Sequence, residues 1–306
     1  MKYYDLPKTD LKVSEIAWGC MRIADKSIKE VEELVKTALD CGINFFDHAD
    51  IYGGGKSEEL FGQVLEKHPE YREKMIIQTK CAIVPGKRYD FSKEYIINAV
   101  NGSLKRLHTD HVEILLLHRP DALCDPQEVA EAFDELYESG KVKYFGVSNH
   151  TPGQIALLQK YTKHPIIINQ LQLSIVHSVM IDSGMNMNMK EDFAIDKDGG
   201  VLDYCRLNDI TIQAWSIVQA SWAEGTFLNH PDYKKLNNVL DDLAKKYNVT
   251  PATIATAWIL RHPAHIQAIT GTTSPKHLIE TAEAANIELT RQEWYDLYLA
   301  SDKPLP

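Results

Sequence analysis

Short apolar runs alternate with amphipathic stretches along the whole chain. The runs fall at residues 15–19, 43–47, 75–80, 112–118, 142–147, 166–170, 210–215 and 266–270. Each is brief and almost wholly apolar, the pattern of strands buried on both faces of a parallel sheet. Between them, apolar residues recur at helical spacing behind marked start signals. Ser27-x-x-Glu30 is a capping box ahead of Val31, Leu34, Val35 and Ala38. Asp125, Pro126 and Glu128 supply a cap, a proline at the first helical position and an acid three residues after the cap, with Gly140 as the stop. Thr151-Pro152, Thr250-Pro251 and Ser274-Pro275 repeat the cap-then-proline signal, and Ser92 precedes Ile96, Ile97, Val100 and Leu104. Eight strand patterns, each followed by a helical one, predict a (β/α)8 TIM barrel. The surplus length predicts an N-terminal β-hairpin over residues 3–13 and extra C-terminal helices, the last capped by Thr290-x-x-Glu293. A doubly wound open sheet is the rival, but its G-x-G-x-x-G loop is missing. Gly19-Cys20-Met21-Arg22 follows the first strand, and Gly53-Gly54-Gly55 after the second has the wrong spacing. With no linker, repeat or low-complexity tract, residues 1–306 are expected to form a single barrel domain. Gly184-Met185-Asn186-Met187-Asn188, ending at Met189, reads as a flexible polar loop; a Met-rich partner or metal site is the alternative.

Composition narrows the function without choosing it. The 306 residues are 44% hydrophobic and 25% charged, ordinary for a globular protein and unlike a disordered or collagenous chain. A net charge of −10 argues against a general nucleic-acid binder, which needs a basic face. Small anionic ligands stay possible, because helix N-termini hold phosphate on acidic proteins. The start, Met1-Lys2-Tyr3-Tyr4-Asp5, lacks the apolar core of a secretory signal, and no apolar run is long enough to span a membrane. Five cysteines, none spaced C-x-x-C, point to a reduced, cytoplasmic protein.

Barrel enzymes keep their chemistry at the C-terminal ends of the strands. There the chain places Asp47, with Tyr52 five residues on, then Lys80, His118, Ser148-Asn149, Gln170 and Trp215-Ser216. The eighth strand runs into Gly271-Thr272-Thr273-Ser274-Pro275. Taken singly, an Asp here is often a turn residue, a Lys is solvated and a His is structural. Together on one rim, Asp47, Lys80 and His118 should converge from three consecutive strands. The set suits proton donation to a carbonyl. A free Tyr is a poor acid, with a pKa of about 10. A Lys ammonium beside Tyr52 should stabilise the phenolate and lower that value. Asp47 should keep Lys80 charged and in place, and His118 should orient a substrate oxygen.

These residues carry a family resemblance. Gly42-x-Asn44-Phe45-Phe46-Asp47-x-Ala49-Asp50-x-Tyr52-Gly53, Thr79-Lys80, Leu117-His118-Arg119-Pro120 and Gly146-Val147-Ser148-Asn149 resemble the aldo-keto reductase superfamily, over nearly the whole chain. The resemblance implies a barrel that reduces a small-molecule carbonyl to an alcohol with NADPH, NADH being possible. It implies catalytic roles for Asp47, Tyr52 as general acid, Lys80 and His118. It implies nicotinamide carboxamide binding by Ser148, Asn149 and Gln170, and stacking by Trp215. Ser216 and Val218 fall at pyrophosphate positions, and Gly271, Thr272 and Thr273 near the adenosine phosphate. Met21 and Arg22 fall by the nicotinamide.

The departures from the family pattern matter. His48 stands where Thr or Ser is common; its side chain should point away from Asp47 and have a local hydrogen-bonding role. The position that often carries an Arg for the 2′-phosphate is His277, beside Lys276; the adenine-contacting position is Thr281, beside Glu280. NADPH should therefore be preferred, but weakly, and less so as His277 deprotonates. Met21, Trp222 and Phe227 suggest an aromatic substrate pocket, shaped by the loops 119–125, 175–200 and 221–230. A metal-dependent barrel hydrolase is a poor rival, because Lys80 is not a metal ligand. A cofactor-binding auxiliary subunit that senses redox state, with little turnover, is the stronger alternative. Neither the individual substrate nor the oligomeric state is readable.

Overall fold

The computed structural model describes residues 1–190 and 192–305. Strands β1 (Tyr3–Asp5) and β2 (Lys12–Ser14) pair antiparallel as the N-terminal hairpin. Strand–helix units follow: β3 (Ile16–Gly19) with α1 (Ile28–Asp40), and β4 (Phe45–Asp47) with α2 (Lys56–Lys67). After β5 (Ile76–Cys81) comes a small antiparallel pair, β6 (Ile83–Val84) and β7 (Arg88–Tyr89), and then α3 (Lys93–Leu107). The next units are β8 (Val112–Leu117) with α4 (Pro126–Glu138) and β9 (Val142–Ser148) with α5 (Pro152–Tyr161). β10 (Ile166–Gln172) leads to α6 (Val179–Met185) and α7 (Val201–Leu207). β11 (Thr211–Trp215) is followed by a second short pair, β12 (Gln219–Ser221) and β13 (Gly225–Thr226), then by α8 (Lys234–Tyr247) and α9 (Pro251–Leu260). β14 (Gln267–Thr270), α10 (Pro275–Ala282) and α11 (Arg291–Ala300) complete the order. β3, β4, β5, β8, β9, β10, β11 and β14 are neighbours in that order, and the β14–β3 pair closes them into a parallel barrel.

The local signals act as read. Ser27 accepts from the Glu30 N–H while the Glu30 carboxylate accepts from the Ser27 N–H at 2.8 Å. Thr151–Gln154 and Thr290–Glu293 close the same box. Asp125 caps α4 through the Gln127 N–H at 2.9 Å. Each cap satisfies amides that would otherwise lack partners in the first turn. The strand ends differ by a residue or two from the apolar runs. β4 starts at Phe45, and the Asn44 side chain just before it is tied to the hairpin. It accepts from the Ser14 N–H at 2.8 Å and donates to the Lys12 carbonyl at 2.8 Å.

Two cores result. The larger lies between barrel and helices. The smaller fills the barrel interior, where Phe45, Ile76, Ile114, Leu116 and Ile269 meet Leu6 and Val13 of the hairpin. The hairpin thus floors the barrel, and the opposite end remains as the mouth. α11 packs on α8 and joins the helix layer through stacked Trp258 and Trp294, 4.8 Å apart, each indole N–H donating to the other's carbonyl.

One prediction needs correction. Gly184 and Met185 are the last residues of α6 rather than part of a loop. Asn186 is buried, and its amide donates to the Asp182 carbonyl at 2.8 Å, ending the helix. Met187 is exposed. Glu191, inside the 175–200 connection, lies outside the described residues.

Candidate active site

Parallel strands bring their C-terminal ends to one rim, so Asp47 and Lys80 meet across β4 and β5. Lys80 is fully buried, and its ammonium is surrounded by acceptors. It lies 2.7 Å from Asp47 Oδ1 and donates to Oδ2 at 2.8 Å, to the His48 carbonyl at 2.8 Å and to Tyr52 Oη at 3.0 Å. Burial opposes its charge, but the Asp47 carboxylate and the Tyr52 oxygen outweigh this and raise the Lys80 pKa. Tyr52 sits in the single turn Tyr52–Gly55 after β4, which brings its hydroxyl back over the rim.

The expected acidification of Tyr52 is not the net result. Burial raises the phenol pKa; the Lys80 charge lowers it, but by less, and Asp47 raises it further. Tyr52 therefore holds its proton at neutral pH, while Lys80 stands ready for the charge that proton loss would create. His118 follows β8 and meets the Tyr52 ring edge-on, with centroids 5.9 Å apart. Burial, then the Lys80 and Arg119 charges, push its pKa down to about 2. A neutral imidazole, with one N–H to donate, faces the phenol.

Asp47 has two further donors, Gln78, which the sequence reading did not single out, and Gln170, which it assigned only to the nicotinamide. Gln78 Nε2 donates to Oδ1 at 2.6 Å, and Gln170 Nε2 donates to the same oxygen at 3.0 Å. Both amides also donate to Gln213 Oε1, at 2.9 and 3.0 Å. Gln213 in turn donates to Gln267 Oε1 at 2.7 Å, and Gln267 to the Ser14 carbonyl at 2.7 Å. The available signal was a Gln in each of four barrel strands. A second missed group stands behind β5. Buried Glu58 of α2 accepts from Thr79 at 2.6 Å and from Arg106 of α3 at 2.8 Å. Asp50 lies near it; burial, then the Glu58 charge, raise its pKa to about 7.

The residues expected around a cofactor line the same rim. Ser148 donates to the Gln170 carbonyl at 2.9 Å, and Asn149, at φ +61°, donates to Ser148 Oγ at 2.7 Å. The left-handed conformation is one that Asn tolerates. Trp215 is partly exposed, and Ser216, at φ +59°, donates to Gln219 at 2.7 Å, with Val218 partly buried beside it. Arg22 is exposed and reaches toward the Gly271 carbonyl, while partly buried Met21 accepts at its carbonyl from Ser57 at 3.3 Å. Thr272 accepts from the Ser274 N–H at 3.2 Å, Ser274 caps α10, and Thr273 is partly buried beside them. His277 is exposed, and Lys276 stands 3.7 Å from Glu280, an exposed cation partly matched by its own helix.

Three expectations fail on geometry. Thr281 is buried and donates to the His277 carbonyl at 2.8 Å, so its hydroxyl serves α10. Phe227 has no exposed surface and packs against Tyr233, in the core rather than in a pocket wall. Trp222, by contrast, is 70% exposed. His48 has no hydrogen bond at either ring nitrogen among the described residues. Asp47 faces into the barrel, so the next side chain faces out, where the His48 ring meets Phe61 edge-on at 4.4 Å. Burial pushes its pKa down to about 3.

The aldo/keto reductase family model matches residues 15–298. A 6-dehydroglucose reductase of Novosphingobium aromaticivorans is 35% identical over 98% of this chain and 95% of its own length. The oxidoreductase YdhF of Escherichia coli K12 is 34% identical over 94% of this chain and 93% of its own. Among solved structures, a thermostable aldo-keto reductase in complex with the inhibitor epalrestat superimposes with a TM-score of 0.79. It is 26% identical and covers 98% of this chain and 100% of its own.

Proposed function

This chain belongs to the aldo/keto reductase family, and on that premise we propose that it is an NADPH-dependent carbonyl reductase with Tyr52 as its general acid. One observation carries the reading: the buried Lys80 ammonium bridges the Asp47 carboxylate and the Tyr52 hydroxyl, at 2.7–3.0 Å. In this reading a substrate carbonyl oxygen lies between Tyr52 and neutral His118, whose rings meet edge-on. His118 donates a hydrogen bond that orients and polarises it, and Tyr52 delivers its proton as the oxygen becomes basic. Lys80 stabilises the phenolate left behind, and Asp47 keeps Lys80 charged and aimed. A reduced nicotinamide dinucleotide, when bound, supplies the hydride that completes the alcohol.

The residues present suit that group. Gln170 has both side-chain amide hydrogens committed to Asp47 and Gln213, which leaves its side-chain oxygen Oε1 for a carboxamide N–H. Trp215 offers an aromatic face. The Ser274-capped start of α10, with Thr272 and Thr273, suits a phosphate. NADPH is preferred over NADH only modestly, because Lys276 shares its charge with Glu280 and α10 carries His277 where an Arg would grip the 2′-phosphate. Four intact catalytic positions favour turnover over a purely sensing subunit. The five free thiols suit the cytoplasm. Relatives named 6-dehydroglucose reductase make an aldehyde on a small hydroxylated molecule the first substrate to try.

The test is oxidation of NADPH and NADH against a panel of aldehydes, ketones and quinones, with Tyr52→Phe beside the wild type. The variant should bind NADPH normally and lose about 10²–10⁴-fold in kcat. Near wild-type turnover by Tyr52→Phe would remove Tyr52 as the acid; no turnover of any carbonyl by the wild type would remove the activity.

A further inference from the structure

Barrel interiors are normally layered with branched aliphatic side chains. Here four fully or nearly fully buried glutamines from β5, β10, β11 and β14 replace part of that filling. Their hydrogen bonds have a direction. The Ser14 carbonyl at the barrel floor can only accept, so Gln267 must turn its amide nitrogen down to it and its oxygen up. Gln213 must then present nitrogen to Gln267 and oxygen to the mouth. That oxygen accepts from both Gln78 and Gln170, whose second N–H groups both fall on Asp47 Oδ1. The two pairs of amide hydrogens are thereby used in full. Gln78 Oε1 is left without a partner among the described residues. Turning that amide over would place its oxygen against the Asp47 carboxylate, so the direction of the chain prevails over local pairing.

We propose that Gln78, Gln213 and Gln267 are positioning residues for the Asp47–Lys80 pair. Together with Gln170 they form an amide ladder that starts at a backbone carbonyl of the N-terminal hairpin and ends with two donors, Gln78 and Gln170, on Asp47. The proposal rests on the carbonyl-reductase reading above. The ladder holds the carboxylate in one rotamer, and through it the Lys80 ammonium at Tyr52. Buried hydrogen-bond chains polarise along their length, so a break at the floor is felt at the mouth. Among the described residues neither Gln213 nor Gln267 hydrogen-bonds to Asp47, Lys80 or Tyr52, so a hydrogen-bonded influence of theirs on proton transfer passes through the ladder.

Gln213→Met and Gln267→Met test it, with kcat, KM and the pH profile of kcat measured on the best aldehyde. Gln213→Met should lower kcat about 10-fold, the upper end of the worth of one hydrogen bond between neutral groups, with cofactor Kd unchanged. The alkaline limb of its profile should move to higher pH, because a looser Lys80 stabilises the phenolate less. Gln267→Met should act in the same direction more weakly, and it decides the matter if Gln213→Met does not fold. A second readout needs no turnover. In protein labelled with [13Cζ]tyrosine, the Tyr52 signal, identified by its loss in Tyr52→Phe, should show less phenolate in both variants at the highest pH that leaves the fold intact. If both variants keep the wild-type kcat, pH profile and Tyr52 signal, or lose only thermal stability, the ladder is mere filling and the proposal falls. If the wild type reduces no carbonyl, the functional reading fails, and the Tyr52 signal alone decides the ladder.

Discussion

Lys80→Met is the sharpest probe of the site, because Met nearly matches the Lys stem and removes only the charge and its donors. At 3.0 Å, with an effective dielectric of about 20, a full phenolate on Tyr52 would gain roughly 5 kcal/mol from the ammonium. With the proton half transferred, the transition state forfeits roughly half of that, about 10²-fold in rate. Loss of the fixed phenol position adds to this, so kcat should fall about 10²–10³-fold, comparable with Tyr52→Phe. Stability should fall as well. Asp47 is left as a buried carboxylate without its cation, a change that costs about 3–5 kcal/mol. Its two amide donors keep the loss at the lower end. Asp47→Asn should be milder in rate, because Lys80 keeps its bonds to the His48 carbonyl and Tyr52. The assay is steady-state NADPH oxidation with an aldehyde at saturating cofactor, with cofactor Kd from tryptophan fluorescence and urea unfolding in parallel. A Lys80→Met enzyme within a few-fold of wild-type kcat would refute the electrostatic argument. An Asp47→Asn enzyme slower than both Lys80→Met and Tyr52→Phe would give Asp47 a direct chemical role.

Other outcomes follow from the same geometry. A Cβ on Gly62 would lie 2.0 Å from the Arg106 carbonyl oxygen, so Gly62→Ala must push α2 from α3 and should cost about 3 kcal/mol in urea unfolding. Arg106→Met strands buried Glu58, and the same measurement should show a loss of about 3–5 kcal/mol. The Asp50 pKa is raised in the fold from 3.8 to about 7, so the stabilisation tied to its protonated form is complete below about pH 4 and lost as pH rises through 7. Asp50→Asn should match the wild-type unfolding free energy at about pH 3.5 and exceed it increasingly up to about pH 7, by up to about 4 kcal/mol; an equal difference at every pH would contradict the raised value. Lys276→Ala and His277→Ala should each weaken NADPH and spare NADH in Kd measurements, and unchanged affinities for both would show that the start of α10 does not read the 2′-phosphate.

Much of this protein was decided close to each residue. A cap such as Ser27 with Glu30, or Thr290 with Glu293, depends on backbone geometry three residues away, so it is legible in a string of letters. Eight apolar runs separated by helical patterns admit few closures other than a parallel barrel, and a parallel barrel brings every strand's C-terminal end to one rim. That is why Asp47, Tyr52, Lys80 and His118 could be placed together before any coordinate was known. What the letters left open depended on distances set only when the barrel closed. Gln78 and Gln267 stand in strands far apart in sequence, and only closure joins them through Gln213 to one carboxylate. Strand alternation points His48 away from Asp47, as the sequence implies, but the surroundings it enters offer the Phe61 ring in place of the expected hydrogen-bond partner. Phe227 and Thr281 looked available to ligands until packing enclosed one and the helix backbone claimed the other. The proton affinity of Tyr52 is a balance between burial and the Lys80 charge, and its sign exists only once the depth of the phenol and its distance to the ammonium are both set. Local rules act through the covalent chain over a few residues, whereas desolvation and Coulomb energy act through space, and space is assigned by the fold.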